Sequence, residues 1–216
     1  MIRNLTLDHK GGYYSYKVHE LKTKELCNGF SSLKDYLDNM FTSCPNEYFN
    51  YGPRSSGLRF RLNNLKLHQI SGHEISDLAK QALVINKERF KDKHPRIQVF
   101  LLENDNNTIA MEVPIWVYPN ELKEFTNVFK IKSPLTGHID VLRIEDNKIW
   151  IWDYKPGAYY ERYAQTQVYF YALMLSKRTN INLENFRCGY FDEKYAYAFK
   201  PDLKLIENKP ILEFVQ

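Results

Sequence analysis

Residues 137–155 read GHIDVLRIEDNKIWIWDYK, and this stretch decides how the sequence folds. Two apolar runs flank the pair Asp146-Asn147, and both residue types tolerate the positive φ angles of a two-residue hairpin turn. Such a turn fixes the register of the two strands and places Asp140 directly opposite Asp153. The other pairs on that face are apolar, namely Leu142 with Ile151 and Ile144 with Ile149. The sequence therefore predicts a hairpin whose apolar face ends in two opposed carboxylates.

Two opposed carboxylates require positive charge nearby. Their Cβ atoms should lie about 5 Å apart, at which distance the charges repel each other. Lys155 projects to the same side as Asp153, because alternate residues of a strand share a face. A divalent cation, which prefers oxygen ligands, is the other natural source of positive charge. The alternative is an ordinary surface hairpin with an ion pair, because a D-x-K triplet often occurs by chance.

Carboxylates, a lysine and a divalent metal ion together are suited to phosphodiester hydrolysis. The metal polarises the phosphate and lowers the pKa of a bound water. The lysine orients that water or stabilises the charge that develops in the transition state. The hairpin alone therefore suggests a hydrolytic site, and further motifs along the chain extend the comparison.

The order of the motifs resembles the PD-(D/E)XK nuclease superfamily, in particular its RecB-like branch. Residues 137–140 resemble the GxxD motif, residues 153–155 the DxK motif, and residues 167–171 the QxxxY motif on the next helix. Upstream, FSSL at 30–33 and CPNEYFNY at 44–51 resemble the serine–leucine helix and the "CP..F.Y" segment of that branch. The resemblance covers about residues 30–192.

The resemblance implies one α/β domain with a restriction-endonuclease-like core, in which a mixed β-sheet is flanked by helices. It would span 1–216, with a helical, basic and aromatic part at 1–66 and the nuclease core at 67–200. The implied activity is that of a DNA nuclease that uses Mg²⁺ or Mn²⁺. It would be an exo- or endonuclease, and the RecB-like motifs favour single-stranded DNA or DNA ends.

The resemblance also implies roles for individual residues. Asp140 and Asp153 would be metal ligands, together with the carbonyl of Tyr154. Lys155 would be the catalytic lysine. Gln167 and Tyr171 lie four residues apart and so share one helical face beside the site.

Two further ligand positions leave alternatives open. His73 lies where the branch carries a metal-binding histidine, but it directly follows Gly72 instead of trailing a glycine by several residues, so His68 is a competitor. Glu112 occupies the place of a glutamate that many relatives carry on the strand before GxxD. A solvated strand glutamate is an equally good interpretation of that residue.

A basic segment follows the first helix. Basic side chains alternate there with aromatic ones, a composition suited to a strand whose phosphates are neutralised while its bases stack. A solvated loop with a few core aromatics is the alternative. The residues of this segment are Arg54, Arg59, Arg61 and Lys66 with Tyr48, Phe49, Tyr51 and Phe60. Four tyrosines near the hairpin could likewise stack on bases or pack the helix onto the sheet, namely Tyr154, Tyr159, Tyr160 and Tyr163.

Composition excludes several classes of protein. The formal charge of +4 is compatible with a nucleic-acid partner without indicating one. The scattered cysteines Cys27, Cys44 and Cys188 form no CxxC pair, and three thiolates cannot hold a Cys₄ iron–sulfur cluster. No apolar run is long enough for a membrane span, and the N-terminus resembles no signal peptide, so we expect an intracellular protein without a membrane partner.

The apolar patterns predict the other elements. Helices are expected from Ser31 to Cys44, capped by Ser31 or Ser32, from Gly72 to about Phe90, and from Tyr160 to Arg178. Strands are expected at Ile97 to Leu102, Thr108 to Val117, Gly137 to Ile144, Lys148 to Lys155, Phe186 to Phe191 and Tyr195 to Phe199. Residues 1–30 are expected to be weakly structured or to form short strands, and Asn120 to Lys132 to be a polar excursion.

Two rival functions remain at this point. One is a non-catalytic nucleic-acid-binding protein that retains the nuclease fold, against which the intact set Asp140, Asp153 and Lys155 argues. The other is an unrelated interaction domain with a coincidental motif. Carboxylates more than about 8 Å apart could not share one cation, so their placement in the fold discriminates between these possibilities.

Overall fold

The elements of the fold are known from a computed structural model, which describes residues 1–62, 64–121 and 133–205. The strands are β1 (Ile2–His9), β2 (Gly12–His19), β3 (His68–Ser71), β4 (Thr108–Val117), β5 (Leu135–Glu145), β6 (Lys148–Tyr154), β7 (Phe186–Phe191) and β8 (Tyr195–Phe199). The helices are α1 (Glu20–Leu26), α2 (Ser31–Ser43), α3 (Asn46–Tyr51), α4 (Glu74–Ile85), α5 (Lys93–Asn104) and α6 (Ala164–Thr179).

These strands form one mixed sheet of eight in the order β1-β2-β4-β5-β6-β7-β8-β3. Neighbouring strands are antiparallel except β6 and β7, which are parallel and joined through α6. A parallel pair needs such a crossover, because its strands start at the same end of the sheet. The predicted fold class is confirmed: the chain is α/β, with a mixed sheet flanked by helices, consistent with a restriction-endonuclease-like fold.

Two apolar layers enclose the sheet. On one face, Leu142 and Ile151 pack in the core that also contains Val168 and most of α6. On the other, Val141 and Trp152 pack with α4 and α5 in a second core. Because the central hairpin is covered on both faces, its strands are apolar almost throughout, and a charged side chain there requires a specific partner.

The central hairpin has the predicted turn and register. Asp146 and Asn147 have φ angles of 50° and 53°, as a type I′ turn requires. Leu142 pairs with Ile151, and Ile144 with Ile149. The backbone pairing extends to Val141 and Trp152, so Asp140 and Asp153 are the next residues at the open end of the hairpin.

The predicted strand at Ile97 to Leu102 is wrong, because this segment is the second half of α5. All six of its residues are buried and Gln98 alone among them is polar, so the segment shows no repeated polar side chains at helical spacing. His94 and Pro95 do not end the preceding helix but lie in the first turn of α5. Proline is tolerated in a first turn, where its missing N–H has no acceptor in any case.

Of the two alternatives given for residues 1–30, the structure has the strands: β1 and β2 form a hairpin that extends the sheet at one edge, and α1 follows them. Two further expectations need correction. The first residue before α2 is Phe30, so neither Ser31 nor Ser32 is the N-cap. Helix α4 is shorter than the predicted Gly72 to Phe90, because His73 caps its start and Asn86 its end.

The remaining elements agree closely with the sequence. Strands β4, β7 and β8 have the predicted bounds, while α6 begins at Ala164 instead of Tyr160. Most of the polar excursion predicted at Asn120 to Lys132 lies outside the described residues. In the described part of the chain, no helix combines the length and the apolar character needed to cross a membrane.

Candidate active site

Asp153, the last-but-one residue of β6, is the centre of a buried polar cluster. Only 1% of its side chain is exposed. Gln167 on α6 donates a hydrogen bond from Nε2 to Asp153 Oδ1 at 2.9 Å, and the ammonium of Lys155 lies 2.5 Å from Asp153 Oδ2. Gln167 Nε2 also donates to the hydroxyl of Tyr171 at 2.8 Å. Gln167 and Tyr171, the two residues of the QxxxY motif, therefore hold the carboxylate of Asp153 in place.

Close packing explains the glycine of the GxxD motif. A Cβ on Gly137 would lie 2.3 Å from Cε1 of Tyr171 and 2.7 Å from Oγ of Ser55. Both distances are far below ordinary van der Waals contact, so any side chain at 137 would push α6 away from β5. Gly137 thus allows Tyr171 and Gln167 to approach the sheet.

Asp140 is held on the neighbouring strand. The backbone N–H of Tyr154 donates to Asp140 Oδ2 at 3.0 Å, which ties the carboxylate to β6. Nε2 of His94 lies 3.8 Å from the same oxygen and 3.1 Å from the carbonyl oxygen of Tyr154. Burial raises the pKa of Asp140 well above its ordinary value, and the charge of Asp153 adds to this effect.

Glu112 brings a third carboxylate to the cluster. Its neighbours Met111 and Val113 pair with Val141 and Ile139, so Glu112 stands opposite Asp140 across β4 and β5. Gln98 Nε2 donates to Glu112 Oε1 at 2.6 Å. Burial raises the pKa of Glu112 to about 7, and the charge of Asp153 contributes in the same direction.

The backbone of Glu112 is strained. Its φ of +50° lies in the left-handed region, which side-chain-bearing residues seldom adopt within a strand. Such a conformation costs of order 1–3 kcal/mol and persists where the surrounding structure enforces it, often at functional sites. The strain therefore supports the interpretation of Glu112 as a site residue over that of a solvated strand glutamate.

Lys155 is the one ammonium group in this cluster among the described residues. Burial acts to lower its pKa, but the charges of Asp153 and Asp140 outweigh burial and raise it. Lys155 is therefore protonated at neutral pH. One ammonium cannot neutralise the carboxylates of Asp140, Asp153 and Glu112, so the cluster is short of positive charge.

The sequence model of one protein family matches the region that contains Glu112, Asp140, Asp153 and Lys155. The PD-(D/E)XK nuclease superfamily model covers residues 69–211. The chain belongs to the PD-(D/E)XK nuclease superfamily. No curated protein and no solved structure matches the chain.

PD-(D/E)XK nucleases typically use divalent metal ions, and the donors at this site fit such an ion. Carboxylate and carbonyl oxygens are what Mg²⁺ and Mn²⁺ prefer. Oδ2 of Asp153 is in contact with the Lys155 ammonium, and the Tyr154 carbonyl oxygen lies 3.1 Å from Nε2 of His94, which is 3.8 Å from Oδ2 of Asp140. Among residues 1–62, 64–121 and 133–205, however, no three His, Cys, Asp or Glu side chains form a ready-made ligand cluster.

Neither histidine named from the sequence contacts the carboxylate cluster. His73 caps α4, where its Nδ1 accepts a hydrogen bond from the Ile75 N–H at 3.1 Å, and its ring packs against Trp152. His68 is exposed on the edge strand β3. The histidine beside Asp140 is His94, whose pKa burial lowers, so it is neutral at pH 7.

Sequence reasoning missed His94 and Gln98 because both belong to the helix that was predicted as a strand. The available signal was the spacing of Ile97 and Leu101, four apart, which together with Pro95 in a first turn is typical of a helix. A helix there would have placed His94 at its start and Gln98 one turn later, next to the strand that carries Glu112.

The basic segment is only partly arranged around the site. Arg54 acts on Glu112 electrostatically and lowers its pKa somewhat, so it lies near the cluster. Arg59, Arg61 and Lys66 are exposed. Of the aromatic residues, Phe49 and Phe60 belong to the core and are not available to bases, whereas Tyr51 is 81% exposed.

Proposed function

We propose that this protein is a divalent-metal-dependent deoxyribonuclease of the RecB-like branch, which hydrolyses phosphodiester bonds in DNA. The observation that carries the proposal is the crowding of one buried and two half-buried carboxylates around a single lysine. Asp140, Asp153 and Glu112 are drawn together by the fold, and in the described part of the chain Lys155 is the one ammonium group among them, while the charge of Arg54 acts on Glu112. A fold tolerates such a cluster where function needs it.

The metal ligands in this proposal are Asp140, Asp153, the Tyr154 carbonyl and Glu112, with His94 in place of His73. The bound ion would polarise the scissile phosphate and activate a water molecule. Glu112 would have to leave Gln98 to join it, and its pKa of about 7 makes it ionisable at neutral pH.

The remaining side chains act on the reacting atoms or on the ligands. Attack of water on phosphorus forms one P–O bond as the bond to the leaving oxygen breaks, and that oxygen takes up a proton. The ammonium of Lys155 stabilises the negative charge that grows on the phosphate during this step. Gln167 and Tyr171 act as positioning residues, since they fix the carboxylate of Asp153.

Single-stranded DNA or DNA ends are the substrates that the surface supports. Tyr159 and Tyr160, which follow Lys155 closely in the chain, are 61% and 82% exposed. Exposed aromatic faces suit the unstacked bases of a single strand and have no equivalent use on a duplex. Arg59, which lies over the ring of Tyr163 at 5.7 Å, adds a cation beside this aromatic group.

Cleavage of labelled DNA tests the proposal. The purified protein is incubated with single-stranded and double-stranded DNA and with RNA of the same sequence, in Mn²⁺, in Mg²⁺ and in excess chelator. We expect cleavage of single-stranded DNA that requires the metal and is abolished by Asp153→Ala. Asp35→Ala removes an exposed carboxylate from α2 and serves as the matched control.

The outcome also separates the two remaining functions. Full activity in chelator would refute the metal mechanism. A wild-type protein that binds DNA but never cleaves it, with either metal, would instead establish the non-catalytic binding protein. The ordered contacts among Asp153, Lys155 and Gln167 favour the enzyme, because a binding protein has no need to keep them.

A further inference from the structure

A chain of hydrogen bonds connects the N-terminal hairpin to Arg54. Nη2 of Arg54 donates to Nδ1 of His138 at 3.1 Å, and Nε2 of His138 lies 2.8 Å from Nδ1 of His9. Nε2 of His9 lies 2.8 Å from Oδ1 of Asn46. Both histidines are buried, with 2% and 4% of their surfaces exposed, so the hydrogen bond between the two rings is shielded from water.

The chemistry of arginine fixes which atom donates and which accepts in each of these three hydrogen bonds. A guanidinium only donates, so Nδ1 of His138 must accept. A neutral His138 therefore carries its proton on Nε2 and donates it to Nδ1 of His9. His9 then carries its own proton on Nε2 and donates it to Asn46. One tautomer of each ring satisfies all three bonds.

Ring stacking holds both histidines in these orientations. The ring of His138 lies parallel to that of Tyr14, with centroids 3.8 Å apart. The ring of His9 stacks on Phe49 at 4.1 Å. Because the rings cannot rotate freely, the acceptor on His138 is presented to Arg54 at a fixed position.

Arg54, at the end of this series of hydrogen bonds, also acts on the carboxylate cluster. Its guanidinium carbon is 4.9 Å from the centre of the Tyr14 ring, and its charge is felt by Glu112. In the described part of the chain, no carboxylate forms an ion pair with Arg54 and His138 is its side-chain hydrogen-bond acceptor. Four of the five guanidinium donors remain for a ligand, and the fork suits a phosphate.

We propose that His138 and His9 are positioning residues for Arg54, which contacts a backbone phosphate of the DNA next to the scissile bond. The proposal rests on the proposed nuclease function and adds the N-terminal hairpin to the substrate site. That hairpin lies outside the family match at 69–211. Its tip is tied to α3 by a hydrogen bond from the Lys10 N–H to Oδ1 of Asn50 at 3.0 Å.

Binding of a labelled single-stranded DNA to the full-length protein in chelator tests the proposal without any cleavage. Arg54→Ala should weaken binding roughly tenfold, as expected for one charged hydrogen-bonded contact. The logarithm of the binding constant should also fall less steeply with the logarithm of the salt concentration. The slope should become shallower by about 0.7, the value for one phosphate of a single strand. Arg89→Ala, which removes an arginine from an exposed ion pair with Glu103, controls for the loss of charge.

The histidine variants separate positioning from mere structure. His138→Leu removes the acceptor and should weaken binding several-fold, whereas His138→Asn keeps an acceptor near the Nδ1 position and should restore it. In the Arg54→Ala background, His138→Leu should have no further effect, because the two residues act through one contact. Under cleavage conditions His138→Leu should raise KM and leave kcat near that of the wild type.

Two results would overturn the inference while leaving the nuclease function intact. One is a correctly folded His138→Leu variant, as judged by its thermal melt, that binds with the affinity and salt slope of the wild type. The other is a loss of affinity caused by His138→Leu that is as large in the Arg54→Ala variant as in the wild type. Wild-type protein that does not bind DNA at all would refute the proposed function and this inference together.

Discussion

Two clusters on the same central hairpin contain the same charges in different arrangements. Arg143 on β5 is fully buried and lies within 2.8 Å of Asp105, 2.9 Å of Glu74 and 3.4 Å of Glu145. Lys155, at the open end of the hairpin, also shares its surroundings with three carboxylates, but among the described residues it forms an ion pair with Asp153 alone. In the described part of the chain, each cluster therefore has one ion-paired cation among three acids.

The difference lies in the shape of the cation and in the access of the acids to water. The planar guanidinium of Arg143 reaches all of its partners at once, and Glu74 remains 60% exposed, so its excess charge is solvated. The ammonium of Lys155 is a point charge, and Asp140 and Glu112 respond with raised pKa values. The first cluster is complete and stabilises the fold, while the second still needs positive charge.

The largest effect is expected at Arg143. Arg143→Met leaves the buried carboxylate of Asp105 without its ion-pair partner, which should cost about 3–5 kcal/mol of unfolding free energy. Urea unfolding measures this loss. Arg89→Met breaks an exposed ion pair with Glu103 and should cost less than about 1 kcal/mol. If the two variants were equally stable, the Arg143 cluster would not have the structural role assigned to it.

Lys155→Met should reduce turnover, and it should also lower stability, because it leaves the buried Asp153 without its ion-pair partner. Loss of the ammonium should reduce kcat about 10²–10³-fold, as for other groups that stabilise transition-state charge. DNA binding in chelator should remain near that of the wild type. Lys148→Met removes a lysine from the other end of β6 and should leave kcat unchanged. Unchanged turnover in Lys155→Met would remove Lys155 from the site.

Replacing an aspartate by asparagine should change the melting temperature in opposite directions in the two clusters. Asp153→Asn removes a charge from the cluster that has too many, so the metal-free variant should melt no lower than the wild type and lose cleavage. Asp105→Asn removes a charge that Arg143 requires and should lower the melting temperature. Mn²⁺ should raise the melting temperature of the wild type far more than that of Asp153→Asn. Destabilisation by both substitutions, with equal shifts in Mn²⁺, would make both acids structural.

The smallest effect is a dependence of stability on pH. The folded-state pKa of Glu112 is raised from 4.5 to about 7, so the folded protein retains its proton longer than the unfolded chain. The stabilisation of the folded state that results from this pKa difference is fully present below about pH 4.5 and is lost as the pH rises through about 7. Metal-free protein should therefore lose stability over this window, and Glu112→Gln should flatten the curve. Thermal melts at a series of pH values would show the difference, and parallel curves would contradict it.

The sequence predicted the hairpin well because its signals are local. Asp146 and Asn147 specify the turn, and the turn specifies which residues face each other. The same reasoning placed Asp140 beside Asp153, and the motif spacing placed Gln167 and Tyr171 on one helical face. The structure brings these residues together as expected, while their catalytic roles remain a prediction.

The rest of the site depends on long-range packing that a single sequence does not reveal. The second half of α5, Ile97 to Leu102, is buried on all sides, and a helical segment of this kind has no polar stripe. For that reason Ile97 to Leu102 resembled a strand, and His94 at the start of the helix was overlooked in favour of His73. Likewise, His9 and His138 are far apart in the chain, and only the fold reveals their contact.

The type I′ turn also bears on the order in which the protein folds. A hairpin closed by two residues forms in roughly 1–10 μs, whereas the parallel pairing of β6 with β7 must await the α6 crossover. Asp140 and Asp153 therefore meet early, before Gln167 reaches them. Their repulsion is then already present in the folding transition state. We expect Asp153→Asn to refold faster than the wild type in stopped-flow experiments and to unfold at nearly the same rate.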